Sequence, residues 1–85
     1  MHGTVQLVPS QTASQARATI AANIDRGITA RGWTNRATGE KIGATEHDVW
    51  RWRSGRHTPA LSTQAALADV LFDGDLSQLY VEGAA

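Results

Sequence analysis

The sequence predicts an all-α domain of five helices behind a short N-terminal arm. Three features carry that expectation: threonines placed as helix caps, apolar residues recurring at helical spacing, and glycines where each early helix should stop. A chain of 85 residues suits one domain and is too short for two. A domain this small buries only about 60% of the surface its unfolded chain exposes, so a flat binding surface is a better prior than a deep enzyme cleft.

Residues 1–11 read as a flexible arm, although Thr4 to Val8 alternates briefly in a way that suits an added strand. Residues 12–85 form the domain. Thr12 and Gln15 make a capping box, after which Ala16, Ile20, Ile24 and Ile28 recur every four residues on one helical face. Gly32 ends that helix near Arg31. A second, short helix is expected from about Asn35 to Ile42, capped by Thr34 and terminated by Gly43. Thr38 and Gly39 are poor helix formers at its middle, so tertiary contact must hold it in place. Thr45 with Asp48 is another capping signature, opening a third helix that ends at Ser54-Gly55. At roughly 100° per residue, Val49 and Trp52 share its inner face, while His47, Trp50, Arg51 and Ser54 spread over the other. Leu61, Leu67, Ala68 and Leu71 give the fourth helix its buried stripe. Asp75 then caps a last short helix carrying Leu76, Leu79 and Tyr80. Trp33 and Trp52 belong to the core.

Composition narrows the function classes. The absence of cysteine removes disulfides and thiolate zinc sites. No run approaches the roughly 18 apolar residues of a spanning helix, and the start lacks the pattern of a signal peptide, so a cytoplasmic protein is expected with no membrane partner. His2, His47 and His57 have no nucleophile or paired carboxylate at a recurring motif spacing, and Gly39 to Gly43 lacks the form of a phosphate-binding loop. The expectation is therefore no enzyme, no cofactor, no metal and no small-molecule substrate. Net charge is zero, but its distribution is uneven. All eight Lys and Arg lie between Arg17 and Arg56, and four acids share that half, leaving residues 1–58 at +4 and residues 59–85 at −4.

Two helices joined by the tight Gly43-Ala44 turn can place the second in a DNA major groove, which is about 12 Å wide and admits one helix. The stretch from Thr34-Asn35-Arg36 through Gly43-Ala44-Thr45-Glu46-His47-Asp48-Val49-Trp50-Arg51-Trp52-Arg53 to Ser54-Gly55-Arg56-His57-Thr58-Pro59 resembles the signature of the phage-repressor and Cro-like helix-turn-helix family. Arg31 to Thr34 before it and Leu67 to Leu71 after it extend the resemblance, which spans roughly residues 16–81. Thr38 and Gly39 stand where that family usually has Leu and Ala, Trp50 where a small polar residue is common, and Arg53 where an acidic or apolar one is usual. The resemblance implies a five-helix domain, often dimeric, whose third helix reads bases while flanking loops grip phosphates.

On that basis the base-reading candidates are Glu46, His47, Trp50 and Arg51. An arginine can donate two hydrogen bonds to guanine, a histidine can donate to or accept from a base edge, and a glutamate can accept from cytosine N4. Glu46 equally suits the dipole of its helix, and Asp48 is assigned to capping alone. Trp50 suits a thymine methyl, a sugar or a partner chain. Thr34, Asn35, Arg36, Arg56, His57 and Thr58 bracket the third helix as phosphate candidates, which position without reading sequence. Leu76, Leu79 and Tyr80 are expected to form a weak homodimer interface. The function expected is a sequence-specific regulator, most simply a repressor of a phage or prophage, bound to double-stranded operator DNA. An antitoxin-type autoregulator and a protein-interaction module of the same fold are the alternatives.

Overall fold

The computed structural model describes residues 12–83. The expected arm at residues 1–11, with its short strand at Thr4 to Val8, lies outside them. Four α-helices follow one another as α1 (Ala13–Arg31), α2 (Asn35–Ile42), α3 (Glu46–Arg53) and α4 (Leu61–Leu71), and a 3₁₀ helix at Leu76–Tyr80 is the last element among the described residues. Among the described residues there is no strand. None of these helices is long and apolar enough to cross a membrane.

The fifth expected helix is thus a 3₁₀ turn and not an α-helix. Its five residues are too few for a stable α-helical ladder, and Asp75 closes it tightly by accepting from the Ser77 amide at 3.1 Å. The boundaries of α1, α2 and α3 fall where the caps place them. Thr12 accepts from the Gln15 amide at 3.1 Å while Gln15 accepts from the Thr12 amide at 2.8 Å. Thr34 accepts from the Ala37 amide at 3.0 Å to open α2.

The core is one cluster of Ile20, Ile24, Ile28, Val49, Trp52, Leu67, Leu71 and Leu79. Trp33 only partly joins it. Its half-buried ring lies at the rim, with the Lys41 ammonium 4.4 Å from its centroid. Leu61 departs from its expected place in the buried stripe and is 66% exposed. It occupies the first turn of α4, which has no side-chain cap and begins beyond the edge of the core. Leu79 departs in the other direction. It is fully buried, so it is a core residue and cannot serve as dimer interface.

Polar groups fix the C-terminal segment onto this core. Asn23 is buried, and its side-chain amide donates to the carbonyls of Leu79 and Val81, each at 2.9 Å. Gln64 is likewise buried, donating to the Pro59 carbonyl at 2.9 Å and accepting from the Tyr80 hydroxyl. Buried amides are tolerated because they are paired.

Candidate nucleic-acid interface

The centre of the site is the packing of α2 against α3. Gly43 ends α2 at φ 75°, a conformation that suits glycine, and turns the chain through Ala44 into the extended Thr45 that caps α3. Gly39 has a second, steric reason to be glycine. A Cβ there would lie 2.5 Å from the Ala44 carbonyl oxygen, because the Ala44 amide closes onto the Gly39 carbonyl at 2.9 Å. Thr38 beside it is fully buried and returns its hydroxyl to the Thr34 carbonyl at 2.9 Å. The two poor helix formers are therefore where α2 lies against the turn that leads into α3, and packing holds them helical.

α3 begins with a complete capping box, Thr45 accepting from the Asp48 amide at 3.0 Å and donating its own amide to Asp48 at 3.5 Å. Its first turn carries the acids Glu46 and Asp48 and its last the bases Arg51 and Arg53, matching the helix dipole at both ends. Val49 and Trp52 are buried, and the opposite face is open. On that face Glu46, His47 and Trp50 are exposed and Arg51 is half-buried.

Asp48 is not confined to capping. Its carboxylate also pairs with Arg51 Nη2 at 3.2 Å, with the two side chains 35% and 41% exposed. Hydrogen bonds from Thr45, then the Arg51 charge, hold the Asp48 carboxyl below the usual carboxylate range. Arg51 Nε is meanwhile buried and without a hydrogen-bond partner among the described residues. The guanidinium is held at one corner, while a donor is left unsatisfied.

His47, Trp50 and Arg56 meet as a stack. The His47 and Trp50 rings lie 5.5 Å apart at an interplanar angle of 19°, and the Arg56 guanidinium carbon sits 5.1 Å from the Trp50 centroid. The loop carrying Arg56 folds back over the end of α3, with the Arg56 and His57 amides donating to the Arg51 carbonyl at 3.0 and 3.3 Å. Those two amides are occupied, so Arg56 and His57 have only their side chains to donate to a partner. His57 is exposed and Thr58 half-buried.

At the start of α2, Thr34 keeps a hydroxyl proton to donate although its oxygen serves as cap, and the first-turn amides of a helix lack intrahelical acceptors. Asn35 Oδ1 accepts from Arg53 Nη1 at 2.8 Å, which leaves its NH₂ as the outward donor. Arg36 lies exposed beside Glu40 at 3.5 Å. The phosphate candidates thus fall into two groups, one at the α2 N-terminus, where Arg53 holds Asn35, and one in the loop after α3.

Arg53 has a role that sequence reasoning did not assign. It pairs with Asp25 at 2.7 Å, holds Asn35, and reaches Thr29 at 3.3 Å, tying α1, α2 and α3 together. Next to it a shallow cleft of about 420 Å³ runs between α1 and the end of α3, lined in part by Arg17, Asp25 and Gly55. No group of residues that could hold a metal ion occurs among the described residues. At the expected dimer face, Leu76 is half-buried against the core, and Tyr80 shows 47% of its surface with its hydroxyl held by Gln64. Comparison of the chain with protein-family models, with curated proteins and with solved structures finds no match.

Proposed function

We propose that the protein binds double-stranded DNA in a sequence-specific way, with α3 in the major groove, and regulates transcription from that site. One observation carries this reading: α3 is packed through Val49 and Trp52 and offers a continuous outer face of Glu46, His47, Trp50 and Arg51. Helical width matches the groove, and those side chains supply both donors and acceptors for base edges. Phosphate donors stand on either side of that face, at Thr34, Asn35 and Arg36 and at Arg56, His57 and Thr58. Contacts to phosphate set the register and the face sets the sequence. Repression, in the manner of a phage or prophage regulator, is the simplest consequence of occupying an operator, and a weak homodimer would present two copies of α3 about 34 Å apart on one side of the duplex.

Selection from a randomised duplex pool tests the reading. Enrichment of a two-fold symmetric sequence is expected, with log K falling against log salt by about 0.9 per phosphate neutralised. Failure to enrich any duplex, together with salt-insensitive capture of a protein partner, would replace it with a protein-interaction role for the same face.

A further inference from the structure

Trp50 is a large apolar side chain left 41% exposed on the outer face of α3, while Trp52 two positions on is buried. What the exposed indole touches gives it a use. His47, from the first turn of α3, stacks on it at 5.5 Å, and the Arg56 guanidinium, from the loop beyond the last turn, rests 5.1 Å from its centroid. The ring therefore links one candidate base reader to one candidate phosphate ligand across the length of the helix. Both are rotamer-rich or freely rotating groups at an exposed surface, where ordering on binding lowers affinity. The Arg56 backbone is already fixed by the hydrogen bond its amide donates to the Arg51 carbonyl at 3.0 Å, so side-chain rotation is the freedom that remains. Arg51 needs no such platform because Asp48 holds it at 3.2 Å.

We propose that Trp50 is a positioning residue, which holds His47 and Arg56 ready for the duplex by stacking and cation–π contact. This inference rests on the DNA-binding reading above and adds a division of labour within it. Arg51 is oriented by a carboxylate and His47 and Arg56 by an indole, so disturbing one set leaves the other in place.

The test has two parts. In the free protein, proton NMR should show the His47 ring protons and Arg56 side-chain protons displaced by the indole ring current. Those displacements should vanish in Trp50→Ala and persist in reduced form in Trp50→Phe, with the thermal midpoint of both variants close to the parent because the ring is not core. Unchanged His47 and Arg56 shifts in Trp50→Ala overturn the proposal before any DNA is added. On the selected duplex, His47→Ala and Arg56→Ala should each weaken binding by about two- to fivefold more in the native background than in Trp50→Ala, the coupling expected of an exposed cation–π or stacked pair. Trp50→Phe should restore part of that coupling. Additive losses overturn the proposal while leaving DNA binding intact, and would make Trp50 a direct contact to the duplex. A parent chain that enriches no duplex overturns the DNA reading and this inference with it, so the two failures are told apart by the parent alone.

Discussion

Arg51 and Arg56 belong to one short stretch of chain, yet their surroundings differ in kind. Arg51 lies on the open face of α3, held at Nη2 by Asp48 and with Nε unsatisfied, whereas Arg56 sits past the helix end with its guanidinium on an indole. A buried donor without a partner is costly, and because Nε is covered by the fold, the Nη groups of Arg51 are the donors left to meet a base. Arg51→Ala should accordingly lose about 1–3 kcal/mol on the selected duplex and relax discrimination at one base pair per half-site. Arg56→Ala should weaken binding to selected and scrambled duplexes alike and shallow the salt slope by about one for each phosphate it no longer meets. Titrating both variants on both duplexes at two salt concentrations checks this, and equal losses for Arg51→Ala on the two duplexes would make it a phosphate ligand. Asp48 adds a pH dependence. Its folded-state pKa is depressed, so its contribution to stability is present above the ordinary carboxylate range and is lost as pH falls through the folded value. Asp75 behaves in the same way through its bond from Ser77. Acid unfolding followed by circular dichroism should therefore be less steep in Asp48→Asn than in the parent, with the Asp75 share retained. Identical acid profiles would show that the capping box and the Arg51 pair do not form in solution.

At the level of elements, the α2–α3 unit depends on close approach. Substituting alanine in an exposed helix ordinarily gains about 1 kcal/mol over glycine. Gly39→Ala should reverse that sign, because its Cβ would meet a backbone oxygen at 2.5 Å and separating the helices would expose Val49 and Thr38. An overpacking loss of about 1–3 kcal/mol is expected, read as a fall in thermal midpoint. A midpoint at or above the parent's would mean that the turn relaxes freely. Much of this element level was legible in the sequence, because Thr12, Thr34 and Thr45 are local signals and each acts within three residues of itself. The pairing of α2 with α3 was legible for the same reason, since Gly43 permits only a tight turn between them. Long-range polar contacts were not. Asn23 bonds to carbonyls 56 and 58 positions away, and Gln64 to a hydroxyl 16 away. A signal did exist, for Asn23 shares the phase of Ile20, Ile24 and Ile28, as Gln64 shares that of Leu67, Ala68 and Leu71, but a periodicity count scores only apolar residues. In the candidate site the outer face of α3 followed from helical phase, whereas the Arg53 clamp and the Asp48–Arg51 pair depended on rotamers that spacing does not specify.

Charge divides the chain into two segments whose contacts should respond to salt in opposite ways. The segment before Pro59 carries the proposed DNA face and a charge of +4, and residues 59–85 carry −4 with no basic residue. With Leu79 buried in the core, any self-association through the C-terminal end must use what remains exposed there, chiefly the Tyr80 ring and Val81, with Leu61 exposed at the start of α4. A two-fold contact brings the same patch of each copy together, so the acids of this segment near it would repel their counterparts, Asp73 least because it pairs with Arg31 at 3.9 Å. Such repulsion acts over about 10 Å at 0.1 M salt and about 3 Å at 1 M, so added salt screens it while leaving apolar burial in place. DNA binding has the reverse dependence, because phosphate contacts weaken as salt rises. Sedimentation equilibrium from low to high salt should therefore show association strengthening over the same range in which duplex affinity falls, and Tyr80→Ser should weaken association without lowering the thermal midpoint to the extent that Leu79→Asp does. At low salt the dimer should form chiefly on the duplex, whose two half-sites hold the copies together against their repulsion. A chain that stays monomeric at every salt concentration, with parental operator affinity in Tyr80→Ser, would place the contact elsewhere or show that a single copy occupies the site.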